Sequence, residues 1–221
     1  MVQTTAARQS SSEDKARFLP QVIGSPDMLI SISTASSSDS AISLNGCVQI
    51  GTKVFMHDGH PASDPNPVSQ WHVGPFDTMI DSALSQTEFQ SIFQSIPATL
   101  QAGFAPARNL PAVQLSVNPL YDNMALSTIN VSNPAEYNAK DTLTMNAFKA
   151  AQDVSAVPAS VETTHGIVRT ASASPFLFIS PIVNRFLMYE QEAAANLYPQ
   201  TTAACMNAGV ALAWLLTSFD Q

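Results

Sequence analysis

Residues 181–198 read PIVNRFLMYEQEAAANLY. Pro181 suits the first position of a helix, where the missing N–H has no intrahelical partner to lose. Ile182, Phe186, Tyr189, Ala193 and Leu197 then recur at steps of three and four, which places them on one helical face. Pro199 stops or kinks that helix. The spacing predicts a helix over 181–198 and a second from about Thr201 to Phe219. In the second, Cys205, Ala208, Leu212, Leu215 and Phe219 alternate at three and four, a narrow seam suited to packing on another helix. Ala203, Ala204, Gly209, Ala211 and Ala213 would permit close approach there.

Working upstream, Val161–Thr170 reads as strand or extended chain. Asn133-Pro134-Ala135-Glu136 is a helix start, with Asn as cap and Pro at the first helical position. Leu143, Ala147, Ala150 and Val154 continue it as one stripe. A further helix is expected between Asp77, a candidate cap, and Pro97, with a capping-box restart at Ser85-Gln86-Thr87-Glu88. The first half reads as β. Met28-Leu29-Ile30-Ser31-Ile32-Ser33 alternates, with Met28, Ile30 and Ile32 on one face. Ala35–Ser40 is a serine-rich turn, and Ile42-Ser43-Leu44-Asn45 alternates again, as in a hairpin. Val48-Gln49-Ile50 and Val54-Phe55-Met56 extend the pattern, and Val113, Leu115 and Val117 and the run Leu126–Val131 add short strands. A β-rich first half and a helix-rich second half argue for an α+β fold rather than alternating α/β.

The chain has 221 residues, enough for one large domain. Residues 1–17 form a polar arm, and 18–221 a single domain with long proline-rich loops at 57–75 and 97–119. Apolar residues make up 45%, as expected of a folded chain. Charged residues make up only 12%, about half the usual share. Ser, Thr, Asn, Gln and Ala take their place. A surface of small neutral groups is easier to desolvate than a charged one, so it suits burial in a large contact.

The net charge is −8, and the Lys and Arg residues are scattered, without a basic arm or stripe. Nucleic-acid binding through phosphate neutralisation therefore has no source. Residues 1–17 lack the apolar core of a secretory signal. The runs Pro175–Tyr189 and Val210–Leu216 do not reach the ~18 apolar residues of a spanning helix. The expected location is the cytoplasm or the interior of a viral particle. Cys47 and Cys205 read as two partly buried free thiols.

Motifs for chemistry are few. His57, Asp58, His60, Asp64 and His72 gather ligand types suited to zinc, in a loop rather than at helical spacing. His57, His60 and His72 are the metal candidates, without an HExxH pattern. His72 or His165 with Asp77 or Asp122 are candidate triad partners for a serine, although no GxSxG elbow exists. Cys47 is a candidate thiol nucleophile, a buried inert thiol being the commoner case. Glycine patterns that cradle phosphates are absent, and no cofactor is implied. Glu190 and Glu192, two apart on a helix, point in different directions and form no carboxylate pair. Phe176, Phe178, Phe186, Met188 and Tyr189 read as core.

The stretch Tyr189–Val210, rich in Ala, Gln and Thr and ending Ala208-Gly209-Val210, resembles the helices of R-body proteins over about a tenth of the chain. Pro199 departs from the continuous helix that this resemblance implies, and no family is recognised at the level of a motif. The expected function is a non-enzymatic, self-assembling structural protein: a viral or phage coat or capsid subunit, or a filament subunit. Its partner is itself, with Cys205, Ala208, Leu212, Leu215 and Phe219 in the contact. The alternative is a metal-dependent enzyme or ligand-binding protein that uses the His57–His72 loop.

Overall fold

The computed structural model describes residues 12–37, 44–51, 53–57, 73–80, 87, 91, 113–116, 120–123, 160–162, 164–192 and 197–219. They form a mixed α/β structure in which one central sheet carries helices on both faces. In chain order the elements are α1 (Ser12–Ile23), β1 (Leu29–Ile32), β2 (Ala35–Ser37), β3 (Val48–Gly51), β4 (Lys53–His57), β5 (Val73–Asp77), β6 (Val113–Ser116) and β7 (Leu120–Asn123). Then follow β8 (Ser160–Glu162), α2 (His165–Thr170), β9 (Phe176–Arg185), α3 (Tyr189–Glu192) and α4 (Leu197–Phe219).

The sheet runs β5-β4-β7-β8-β2-β9-β3-β6, and β1 also pairs with β9. The longest strand, β9, is the spine. Its first half is parallel to β1, Leu29 opposite Phe176 and Ile32 opposite Ile179. Its second half is parallel to β2, and β3 lies antiparallel on its other side. Leu177 and Ile179 face α4, where they pack with Val48, Ile50, Ile80, Ala208, Ala211 and Leu215. Phe176 and Phe178 face the other way and pack with Val54, Leu29 and Val168 of α2. Every residue of β9 up to Asn184 is buried. A strand covered on both faces reads as a continuous apolar run rather than an alternating one.

That burial explains why 181–198 is not one helix. Residues 176–185 are strand, and helix resumes only at Tyr189. Pro181 would normally argue against a central strand, because it cannot donate to the ladder. Here the Ile182 N–H donates to Cys47 O, just before β3, at 2.8 Å, so the Pro181 nitrogen faces the opposite side. On that side β1 ends at Ile32 and β2 begins at Ala35. The proline lies at the break between two partners, where one less donor is needed.

The division into a β-rich first half and a helix-rich second half is therefore not what the described residues show: β8 and β9 lie late in the chain and α1 lies early. The segment Val161–Thr170 splits into the end of β8 and α2. The predicted C-terminal helix exists and starts earlier, at Leu197, with Pro199 in its first turn. The predicted helix over 133–154 and the strand at 126–131 lie outside the described residues. Among the described residues, no helix is long and apolar enough to cross a membrane.

Candidate functional site

The carboxyl ends of β2 and β9 lie side by side, with Ser36 opposite Asn184 and Ser37 opposite Arg185. In open α/β sheets the crevice beyond such strand ends is where ligands bind. The groups gathered there are polar and buried. Ser36 Oγ donates to Asn184 Oδ1 at 3.2 Å, and Asn184 Nδ2 donates to the Arg185 carbonyl at 2.8 Å. Glu192, on α3, is buried and folds back onto the strand end. Its carboxylate accepts from the Arg185 N–H at 2.8 Å, Arg185 Nε at 2.5 Å and Asn45 Nδ2 at 3.0 Å. The arginine charge is thus neutralised in place, and the strand end presents amides and hydroxyls without net charge.

Local backbone supports the same location. The turn from β9 to α3 holds Leu187 at φ 61°, a left-handed conformation that costs a branched-chain residue energy and clusters at functional positions. The turn is secured by Phe186 N–H donating to Ser37 O at 2.7 Å and Met188 N–H to Arg185 O at 3.1 Å. Gln200 of α4 reaches the same strand, Nε2 donating to Val183 O at 2.5 Å. Ser160 pairs with Ser37 across β8 and β2 and is buried. Among the described residues, Ser160 Oγ and Gln200 Oε1 lack a hydrogen-bond partner. A buried polar atom left so is costly unless water or a ligand satisfies it.

A second polar cluster lies on the β9 face that α2 covers. His165 is fully buried, with Nδ1 at 2.7 Å from Ser31 Oγ and Nε2 at 2.8 Å from Ser180 Oγ. Its ring lies against Phe178, centroids 5.2 Å apart. Burial holds the imidazole pKa below its ordinary value, with the Glu162 carboxylate opposing that shift. Glu162 caps the start of α2 by accepting the Thr164 N–H at 2.7 Å and the His165 N–H.

The residues singled out from sequence scatter. His165 joins Ser31 and Ser180, whereas Asp77 meets the exposed Lys53 at 3.9 Å. His57 ends β4, while His60 and His72 lie outside the described residues. Among the described residues no group of three His, Cys, Asp or Glu could hold a metal ion. Neither Cys47 nor Cys205 is in a disulfide; Cys47 lies in the core with Ala35, Leu44 and Ile182, and Cys205 is exposed. Ala208 and Leu215 of the expected contact seam are spent on the chain's own core, and Leu212 packs against it. Glu190 is exposed and Glu192 buried, so the two carboxylates do point apart. Sequence reading missed Ser36, Asn184, Arg185 and Glu192 as a group. The one local signal was Asn184-Arg185 interrupting an apolar run.

No protein family and no curated protein matches the sequence. Solved structures do match. A 5'-methylthioadenosine/S-adenosylhomocysteine nucleosidase from Neisseria meningitidis, in complex with methylthio-immucillin-A, aligns at TM-score 0.55 and 15% identity, over 94% of this chain and 78% of that one. The 5'-methylthioadenosine nucleosidase of Arabidopsis thaliana aligns at 0.53 and 13%, over 93% and 67%. The MTA/SAH nucleosidase of Streptococcus pneumoniae bound to 8-aminoadenine aligns at 0.52 and 16%, over 93% and 76%. This chain shares their fold.

That finding corrects the expectation of a non-enzymatic coat, capsid or filament subunit. Nearly the whole chain follows the architecture of enzymes, so the lean away from enzymatic function falls with the virion reading. The physical error lay in placing the neutral polar residues outside. Ser31, Ser36, Ser37, Asn45, Gln49, Ser160, Ser180, Asn184, Gln200 and Asn207 are all buried within this one chain. Many bond its own groups, as Asn207 Nδ2 does in donating to the Gly46 carbonyl at 2.8 Å. Part of the neutral polar content thus lies in the interior of this chain.

Proposed function

We propose that this chain is a nucleosidase that cleaves an adenine nucleoside at the bond between base and sugar. The observation that carries the reading is the fold shared with the nucleosidases over 93–95% of the chain. In such a hydrolysis the C–N bond to the base breaks, water oxygen bonds the sugar carbon, and a water proton ends on the base. The uncharged strand end suits the substrate. An asparagine amide can pair with the N6 and N7 edge of adenine, and the hydroxyls of Ser36 and Ser160 match a sugar or ring nitrogen. In this reading Asn184 turns its amide to the base, while Glu192 holds Arg185 and the strand end in position.

The test is incubation of the purified chain with methylthioadenosine and with S-adenosylhomocysteine, followed by chromatography for adenine. Adenine release that Asn184→Ala lowers supports the reading. No release, together with no calorimetric binding of adenine, ends it.

Self-association is proposed on a separate observation. Met206, Val210 and Trp214 are exposed along one side of α4, a helix of 23 residues without a charged side chain. A copy-to-copy contact over that stripe predicts a mass above 23.5 kDa in light scattering, reduced to the monomer by Trp214→Glu.

A further inference from the structure

A cavity of about 480 Å³ lies between α1, β1 and the start of α2. Small-molecule sites commonly span ~300–1,000 Å³ and combine an apolar lining with few polar groups. Leu19 and Val22 of α1 and Leu29 and Ile32 of β1 form the apolar wall, and Ser31 and Thr164 supply the hydroxyls. Among the described residues, none that lines it is charged. Val22 and Ile32 stay 39% and 44% exposed, whereas packed interiors leave few voids larger than a water.

The polar end of this cavity is organised. Ser31 Oγ is bound to His165 Nδ1, and His165 Nε2 to Ser180 Oγ, all three residues being buried. A neutral imidazole has one donor and one acceptor nitrogen. When Nε2–H donates to Ser180, Nδ1 accepts from Ser31, and Ser31 Oγ can accept from a ligand hydroxyl. When Nδ1–H donates to Ser31, the Ser31 proton is available to a ligand carbonyl. The serine at the cavity wall can therefore donate or accept without any charge appearing. A charged head would find no counter-ion among the described residues of these walls.

We propose that this cavity binds an uncharged aliphatic molecule with a single oxygen head, the head bonded to Ser31 and the tail along Leu19, Val22, Leu29 and Ile32. The site is lined by none of the strand-end residues and does not rest on the nucleosidase reading. The test is calorimetric titration of the full chain with 1-octanol and with octanoate. Saturable one-to-one octanol binding is expected, with octanoate at least about tenfold weaker. Ser31→Ala should weaken octanol about three- to tenfold, the worth of one hydrogen bond. Val22→Trp fills the cavity from a half-exposed helix position and should abolish binding while the circular dichroism of the fold persists. The proposal is overturned if the folded wild type takes up no octanol, or if Val22→Trp binds it equally. Equal binding of octanoate, or no effect of Ser31→Ala, overturns the assignment of the head. Adenine release is read separately, so either reading can fail alone.

Discussion

Replacing Glu192 with alanine removes the acceptor of three donors at once, the Arg185 N–H, Arg185 Nε and Asn45 Nδ2. Losing one partner of a buried ion pair costs ~3–5 kcal/mol, because the remaining charge is left uncompensated. The Arg185 side chain retains 17% exposure against 3% for Glu192, so water can reach the orphaned guanidinium and the lower end applies, about 3 kcal/mol. For a chain of this length ~1 kcal/mol shifts the melting temperature by about 2–4 °C, so the expected fall is about 6–12 °C. Thermal and urea unfolding of Glu192→Ala, Arg185→Ala and the double variant measure it as a cycle. The double variant should be less damaged than the sum, with a coupling of roughly 1–3 kcal/mol. A fall under about 2 °C, or strict additivity, would show that this network does not hold the strand end. If the strand end is the adenine site, Glu192→Ala should also slow adenine release more than its stability loss explains.

Three further outcomes are expected. Gly209→Ala should stabilise the chain by about 0.5–1 kcal/mol in urea unfolding, since a mid-helix glycine is costly and an added Cβ there meets nothing within 4 Å. Ile179→Ala, which opens the core beneath α4, should cost ~2–5 kcal/mol, against little for Ile32→Ala on the same parallel pair, because Ile32 is exposed. The third concerns acid. Burial lowers the pKa of His165 from its ordinary 6.5, so the unfolded chain binds the proton more readily, and stability falls as pH drops through 6.5 toward the lower folded value. Urea midpoints at pH 7.5 and 5.5 should show that loss, and His165→Asn should remove part of it. An unchanged pH dependence in the variant would place the acid sensitivity elsewhere.

Local patterns were legible where a segment's own side chains decide its conformation. The alternation around Met28–Ser33 marks β1, Val48-Gln49-Ile50 marks β3, Val54-Phe55-Met56 marks β4, and the apolar periodicity after Thr201 marks α4. The phase of α4 was less legible. Its buried stripe runs through Ala204, Ala208, Ala211 and Leu215, and Cys205 faces outward, because small residues on several sides leave the helix free to rotate until the sheet selects a face.

By itself the sequence determined that the chain folds, that it carries several strands and a long uncharged C-terminal helix, and that no basic stripe or phosphate-cradling loop is present. Tertiary structure alone decided that residues 176–185 become the central strand. Apolar residues at helical spacing in a continuous run also satisfy a strand buried on both faces, and only partners from distant segments resolve that choice. The same holds for both polar clusters: Ser36 meets Asn184, Asn45 meets Glu192 and Ser31 meets His165 across separations of 148, 147 and 134 residues. Hydrogen bonds over such distances in the chain leave no periodic trace, since they depend on sheet order and register rather than on neighbours in sequence.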